Sequence, residues 1–135
     1  MTTISTEDLL LRTRAVMERL DTDSALASAS RLLRSAPASD AAHFAFGVVA
    51  GRLGRRDAAV GALRNAARIN RASPTIAYAL GEALLRADDP ESAIVAFRGS
   101  LDRGGDLVDA SVGLAACYAA LGHLEAAERV LEPLL

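Results

Sequence analysis

Lysine is missing from this chain: all 15 basic residues are arginine, a bias expected of a bacterial-like high-GC codon composition more than of function. Tryptophan is also missing, aromatics make up 4%, and there are two histidines and one cysteine. A single cysteine allows no intramolecular disulfide, which excludes a disulfide-stapled secreted scaffold and makes a reducing, cytoplasmic setting the expectation. So few aromatics disfavour a β-sandwich. A formal charge of −2 and a pI near 5.6 provide no electrostatic footprint for nucleic acid. No uninterrupted apolar run approaches the ~20 residues of a membrane span. Residues Met1 to Leu20 carry early acids and no basic region before an apolar core, so they do not read as a secretory signal.

What is present is alanine, leucine and valine, within a hydrophobic content of 51%. These small and aliphatic residues suit closely packed helices, and 135 residues suffice for one domain with a core. They also repeat. Ala25, Ala59, Ala93 and Ala127 recur every 34 residues, as do the acids Asp23, Asp57, Glu91 and Glu125. Gly47, Gly81 and Ala115 share the same step, and so do Leu63, Phe97 and Leu131. A shared period of this length marks a stack of helical hairpins, each unable to bury its apolar stripe alone.

The residues in register resemble the tetratricopeptide repeat, whose pattern places Leu-Gly, then Ala, three residues and Phe at fixed offsets. Leu80-Gly81, Ala93 and Phe97 match it, as do Phe46-Gly47, Ala59 and Leu63, and Leu114-Ala115, Tyr118, Ala127 and Leu131. The first repeat is degenerate, with only Ala25 and Pro37 in register and a turn that reads one residue short. The resemblance implies an all-α, right-handed superhelix of about four stacked hairpins, with repeats near 5–39, 40–73, 74–107 and 108–135. Antiparallel helices lie roughly 8–10 Å apart, and closer approach needs small side chains. Gly47 and Gly81 are therefore expected to face Ala59 and Ala93, with Leu63, Phe97 and Leu131 between adjacent hairpins.

Along the chain, Ser5-Thr6-Glu7-Asp8 reads as a capped helix start, and Asp21-Thr22-Asp23 as a turn and cap. Ser73-Pro74 and Asp89-Pro90 pair an N-cap with proline at the first helical position. At the C-terminus Val130, Leu131, Leu134 and Leu135 lack a polar capping helix. Such an end fits either a fragment of a longer protein or a homodimer formed through the last helix.

Chemistry has few candidates. His43, at an aromatic position of the repeat, reads as a packing residue, His123 as a solvated turn residue and Cys117 as a small buried hydrophobe. Ser73, Ser92, Ser100 and Ser111 have no base placed near them by the sequence, so none reads as a nucleophile. Gly104-Gly105 lacks a phosphate-loop context, and Asp88-Asp89 offers too few oxygens for calcium. No cofactor, metal or catalytic activity is expected.

The resemblance implies that the first helix of each hairpin lines a concave groove. Its expected binding residues are Phe44, Val48 and Arg52, then Tyr78, Glu82, Leu85 and Arg86, then Val112. The basic clamp with which one branch of the family holds chaperone tails is absent: its positions hold Phe44, Val48, Ala79, Asp109 and Gly113. An apolar floor with charges at Arg52, Glu82 and Arg86 suits an amphipathic helix or extended apolar peptide of a protein partner. It equally suits coverage by the chain's own first or last helix, or by a second copy. The leading expectation is an interaction scaffold or adaptor without catalysis. The alternatives are a substrate-recruiting domain of a larger enzyme and a self-associating module.

Overall fold

The structure of the chain, a computed structural model, describes residues 5–135. Met1–Ile4, the start of the segment read against a secretory leader, lie outside that range. The described residues form α1 (Thr6–Arg19), α2 (Thr22–Ser35), α3 (Asp40–Arg52), α4 (Arg56–Ile69), α5 (Pro74–Arg86), α6 (Pro90–Asp102), α7 (Leu107–Ala120) and α8 (Leu124–Leu131). A short 3-10 turn, Glu132–Leu134, follows. The fold is an all-α solenoid: α3 pairs with α4, α5 with α6 and α7 with α8, and each pair stacks on the next.

Side chains set most of the helix starts. Ser5, Asp21, Ser39, Ser73, Asp89 and Asp106 each accept a hydrogen bond from the backbone N–H three residues on. Each satisfies a donor that the first helical turn would otherwise leave orphaned. Pro74 and Pro90 open α5 and α6, where the missing N–H costs nothing.

Three hairpins close in one way. The chain turns through a left-handed residue at Gly54 (φ 72°), Asp88 (φ 61°) and Gly122 (φ 79°). The next N–H then reaches back to the helix, Arg55 to Ala50 O, Asp89 to Leu84 O and His123 to Tyr118 O. This closure satisfies helix-end carbonyls, and it requires the conformation that glycine adopts freely. The equivalent residue of the first repeat is Leu20, which stays extended at φ −79°, ψ 150°.

The first turn is one residue shorter than the others, as its sequence reads: Leu20 and Asp21 separate α1 from α2, against three residues at each later hairpin, while Asp21 still caps α2 in register with Arg55, Asp89 and His123. With one residue fewer, the turn leaves Leu20 extended at the step where the later hairpins turn left-handed, a conformation that a branched L side chain disfavours. α1 lies mainly against α3 and α5, and meets α2 near the turn, where Met17 clusters with Ala25 and Ala29.

The core carries a second difference from expectation. A Cβ on Gly47 would meet Leu63 Cγ at 2.6 Å, and one on Gly81 would meet the Phe97 ring at 2.8 Å. The glycines thus make room for Leu63 and Phe97 more than for Ala59 and Ala93. Phe97 also presses on Gly113, where a Cβ would lie 2.6 Å from its ring. One aromatic side chain, 1% exposed, locks α6 to both α5 and α7. At the C-terminus the last turn leaves Val130, Leu131 and Leu134 half-buried and Leu135 fully exposed.

Candidate functional site: a concave groove occupied by the first helix

The inner face of the solenoid is built from α3, α5 and α7. Of the expected groove residues, Phe44 is fully buried in the main core cluster together with Leu10 of α1. That corrects its assignment to an accessible floor: the helix lying over α3 seals it. Val48, Tyr78, Glu82 and Leu85 are half-buried, whereas Arg52, Arg86 and Val112 are exposed. Tyr78 is also structural, with its ring 5.5 Å from that of Phe97.

Side chains of α1 at a 3-4-3 spacing, Glu7, Leu10, Arg14 and Met17, make its seat, and such a spacing puts them on one helical face. The Glu7 carboxylate accepts from Ser73 Oγ at 2.7 Å, from the Thr75 backbone N–H at 2.8 Å and from the Thr75 hydroxyl. A carboxylate at the start of α5 also meets the positive end of that helix dipole. Leu10 is 0% exposed, and Met17 packs in a second cluster with Ala25, Ala29, Ala45 and Val49. Arg14 bridges to Glu82 at 3.3 Å and to Glu18 at 3.1 Å. Burial works against the charge on Arg14, but the two carboxylates outweigh it and hold its pKa above the ordinary value. At the far end, the Arg52 guanidinium donates to the Met17 and Leu20 carbonyls. Two of the expected groove charges, Arg52 and Glu82, are therefore used on α1.

The occupation is incomplete. A pocket of about 290 Å³ remains between α1 and the α5–α7 side, lined by Leu11, Tyr78, Asp109 and neighbours. Another of about 160 Å³ lies between α1, Val48, Ala79 and Arg86. Val112 on α7 is 54% exposed, and on α1 itself Leu9, Leu11 and Val16 are 47%, 51% and 53% exposed. A concavity of about 400 Å³ is on the opposite face, floored by Ile76, Leu80 and Leu84 and edged by Arg64, Arg71 and Arg103. It holds no pairing of nucleophile and base.

The chemical candidates of the sequence have structural roles. His43 donates from Nε2 to the Pro37 carbonyl at 2.8 Å. Ser73 caps α5, and Ser100 donates to the Pro74 carbonyl at 3.0 Å. Cys117 is buried, and burial raises the pKa of its thiol. Asp88 sits in a hairpin turn, and Asp89 caps α6. Among the described residues no group of three or more His, Cys, Asp or Glu could hold a metal ion. No helix there is long and apolar enough to cross a membrane.

The groove-facing role of Glu7, Leu10, Arg14 and Met17 is not in the sequence reading. A signal for it was available: positions 20, 54, 88 and 122 also recur every 34 residues, and only the first cannot readily turn left-handed.

Comparison with known proteins agrees with this architecture. Solved structures with the same fold include MamA (TM-score 0.80, 20% identity, covering 93% of this chain and 69% of that one). A point mutant of MamA aligns with TM-score 0.75 and 21% identity, covering 96% of this chain and 75% of its own. MamA MSR-1 C2 aligns with TM-score 0.70 and 21% identity, covering 98% and 80%. No curated protein sequence is significantly similar to the chain. Tetratricopeptide repeat models match residues 44–108 and 84–135, and with the periodic turns and glycine–aromatic contacts already described, the chain belongs to the tetratricopeptide repeat family.

Proposed function

We propose that this chain is a protein-interaction scaffold that binds an amphipathic helix of a partner in its concave groove and has no catalysis of its own. The observation that carries this reading is the seating of α1: an amphipathic helix already lies against α3 and α5, with its acid, apolar and basic side chains each met by a complementary group. This is helix-in-groove recognition, in which side chains one turn apart act as anchors. The residues left exposed at the open side, Arg86 and Val112, extend the surface toward α7.

The test is a selection of helical peptides by display against the immobilised chain. Binders are expected to be lost on combining Arg86→Glu with Val112→Asp, while circular dichroism and thermal unfolding remain close to wild type. Binders that ignore both changes would place the site elsewhere.

A further inference from the structure

The partner's chemistry follows from the same contacts, and this inference rests on the groove reading above. We propose that the partner presents a helical stripe with the register of α1 (carboxylate, leucine three residues on, a basic residue seven on and a methionine-sized apolar residue ten on) and that α1 is its internal competitor.

Each position of the stripe has its own receptor. The carboxylate goes to the start of α5, where Ser73 Oγ and the Thr75 N–H and hydroxyl converge. Leucine enters the cluster that contains Phe44, and the basic residue reaches Glu82. The larger apolar residue meets Ala45 and Val49 of α3 together with Ala25 and Ala29 of α2. Arg52, donating to the carbonyls at the end of α1, fixes the direction, because only the C-terminal end of a helix presents free carbonyls.

α1 is suited to yield the groove. It touches α2 chiefly through Met17, and the chain joins the two through the extended residue Leu20. Its hold consists of two well-buried side chains, Leu10 and Met17, and polar contacts at partly exposed groups. It leaves the pocket beside Tyr78 and Asp109 open, and Val112 uncovered. A partner helix with the same stripe and additional contacts to α7 would exceed α1 in contact while meeting the same receptors. Occupation by α1 reduces the fraction of chains competent to bind, so loosening α1 raises apparent affinity in proportion.

The experiment titrates a fluorescent synthetic peptide of residues 5–21 into the full chain and follows anisotropy. Compared with wild type, a chain carrying Leu10→Asp should bind the peptide about tenfold more tightly, because its groove is vacated. A chain carrying Glu7→Gln with Arg14→Gln, which leaves Leu10 in place, should shift in the same direction by less. Circular dichroism establishes that each variant is folded. A peptide with Arg14→Glu should fail on these chains and regain binding on a chain carrying Glu82→Arg. Equal affinity for wild-type and loosened chains, or no discrimination between native and charge-reversed peptides, would overturn the register. Binding of display-selected helices with an unrelated face would do so too, while leaving the groove function standing. A folded Leu10→Asp chain that binds no helical peptide would overturn both. Wild-type dimerisation that rises with concentration as peptide binding falls would assign the groove to α1 of a second copy and overturn the foreign partner.

Discussion

The segment from α3 to α8 and the segment from α1 to α2 share one repeat register but fold differently. In the former, Gly54, Asp88 and Gly122 turn left-handed and each hairpin closes on itself. In the latter, the residue at the same step is Leu20, the chain remains extended, and α1 settles on α3 and α5. The difference teaches that register alone does not make a hairpin. A left-handed backbone costs an ordinary L-residue roughly 1–2 kcal/mol. A cost of that size exceeds what a few surface contacts return, so the helix goes where its stripe finds better partners.

The strongest way to break the regular region is to fill a crossing. Gly81→Leu drives a side chain into the Phe97 ring, whose atoms lie 2.8 Å from even a Cβ at that position. A loss of about 3 kcal/mol is expected from such overpacking, measured by chemical denaturation. A change near zero would mean that Phe97 does not pack as described.

The next largest effects exchange turn chemistry between the two regions. Gly54→Ala imposes a Cβ at φ 72° and should cost about 1 kcal/mol. Leu20→Gly should scarcely change global unfolding but should speed amide exchange in α1, because it frees the turn within the first repeat, which is now held extended. If exchange in α1 stays unchanged, Leu20 is not what keeps the segment in place.

A smaller effect isolates the seat of α1. A double-mutant cycle on Arg14→Ala and Glu82→Ala should give a coupling of roughly 0.5–1 kcal/mol, as for other incompletely buried ion pairs. The pair is 3.3 Å apart with side chains 30% and 26% exposed. Zero coupling would place α1 away from α5.

Smallest is the pH response of the caps. Hydrogen bonds from Ser24 lower the pKa of Asp21, and hydrogen bonds from Ser92 lower that of Asp89. A carboxylate whose folded pKa lies below its unfolded value stabilises the fold above that unfolded value, about 3.9 for aspartate. That stability is lost as pH falls through the folded pKa. The melting temperature should therefore decline slightly below that range. Asp21→Asn and Asp89→Asn, which retain a capping oxygen, should each flatten part of the decline.

Much of the fold is legible from small residues at a fixed step. Ala25, Ala59, Ala93 and Ala127 are all buried, and the capped starts at Ser73 and Asp89 lie where the sequence places them. These features are local or strictly periodic, so a pattern captures them. The glycine partners were less legible. Gly113 continues a small-residue series, Ala45 and Ala79, outside those that mark the repeat in the sequence, and its opposition to Phe97 arises from stacking between hairpins. The groove was legible as a surface, and the sequence admits coverage by the chain's own first helix among the alternatives, but the pattern does not choose between them. Phe44 reads as an inner-face residue from register, and it lies in a buried cluster that includes Leu10, on a helix outside the regular stack. A contact across that sequence distance depends on where one aberrant turn sends the chain, which no periodic template contains.

The measurement closest to the central claim is a nuclear Overhauser experiment on the full chain with methyl-labelled leucine. The account predicts contacts from the Leu10 methyl groups to the ring of Phe44, with which it shares a cluster. Contacts from Leu10 to Ala25 and Ala29 of α2, with none to Phe44, would show a closed first hairpin and an empty groove, and would contradict it.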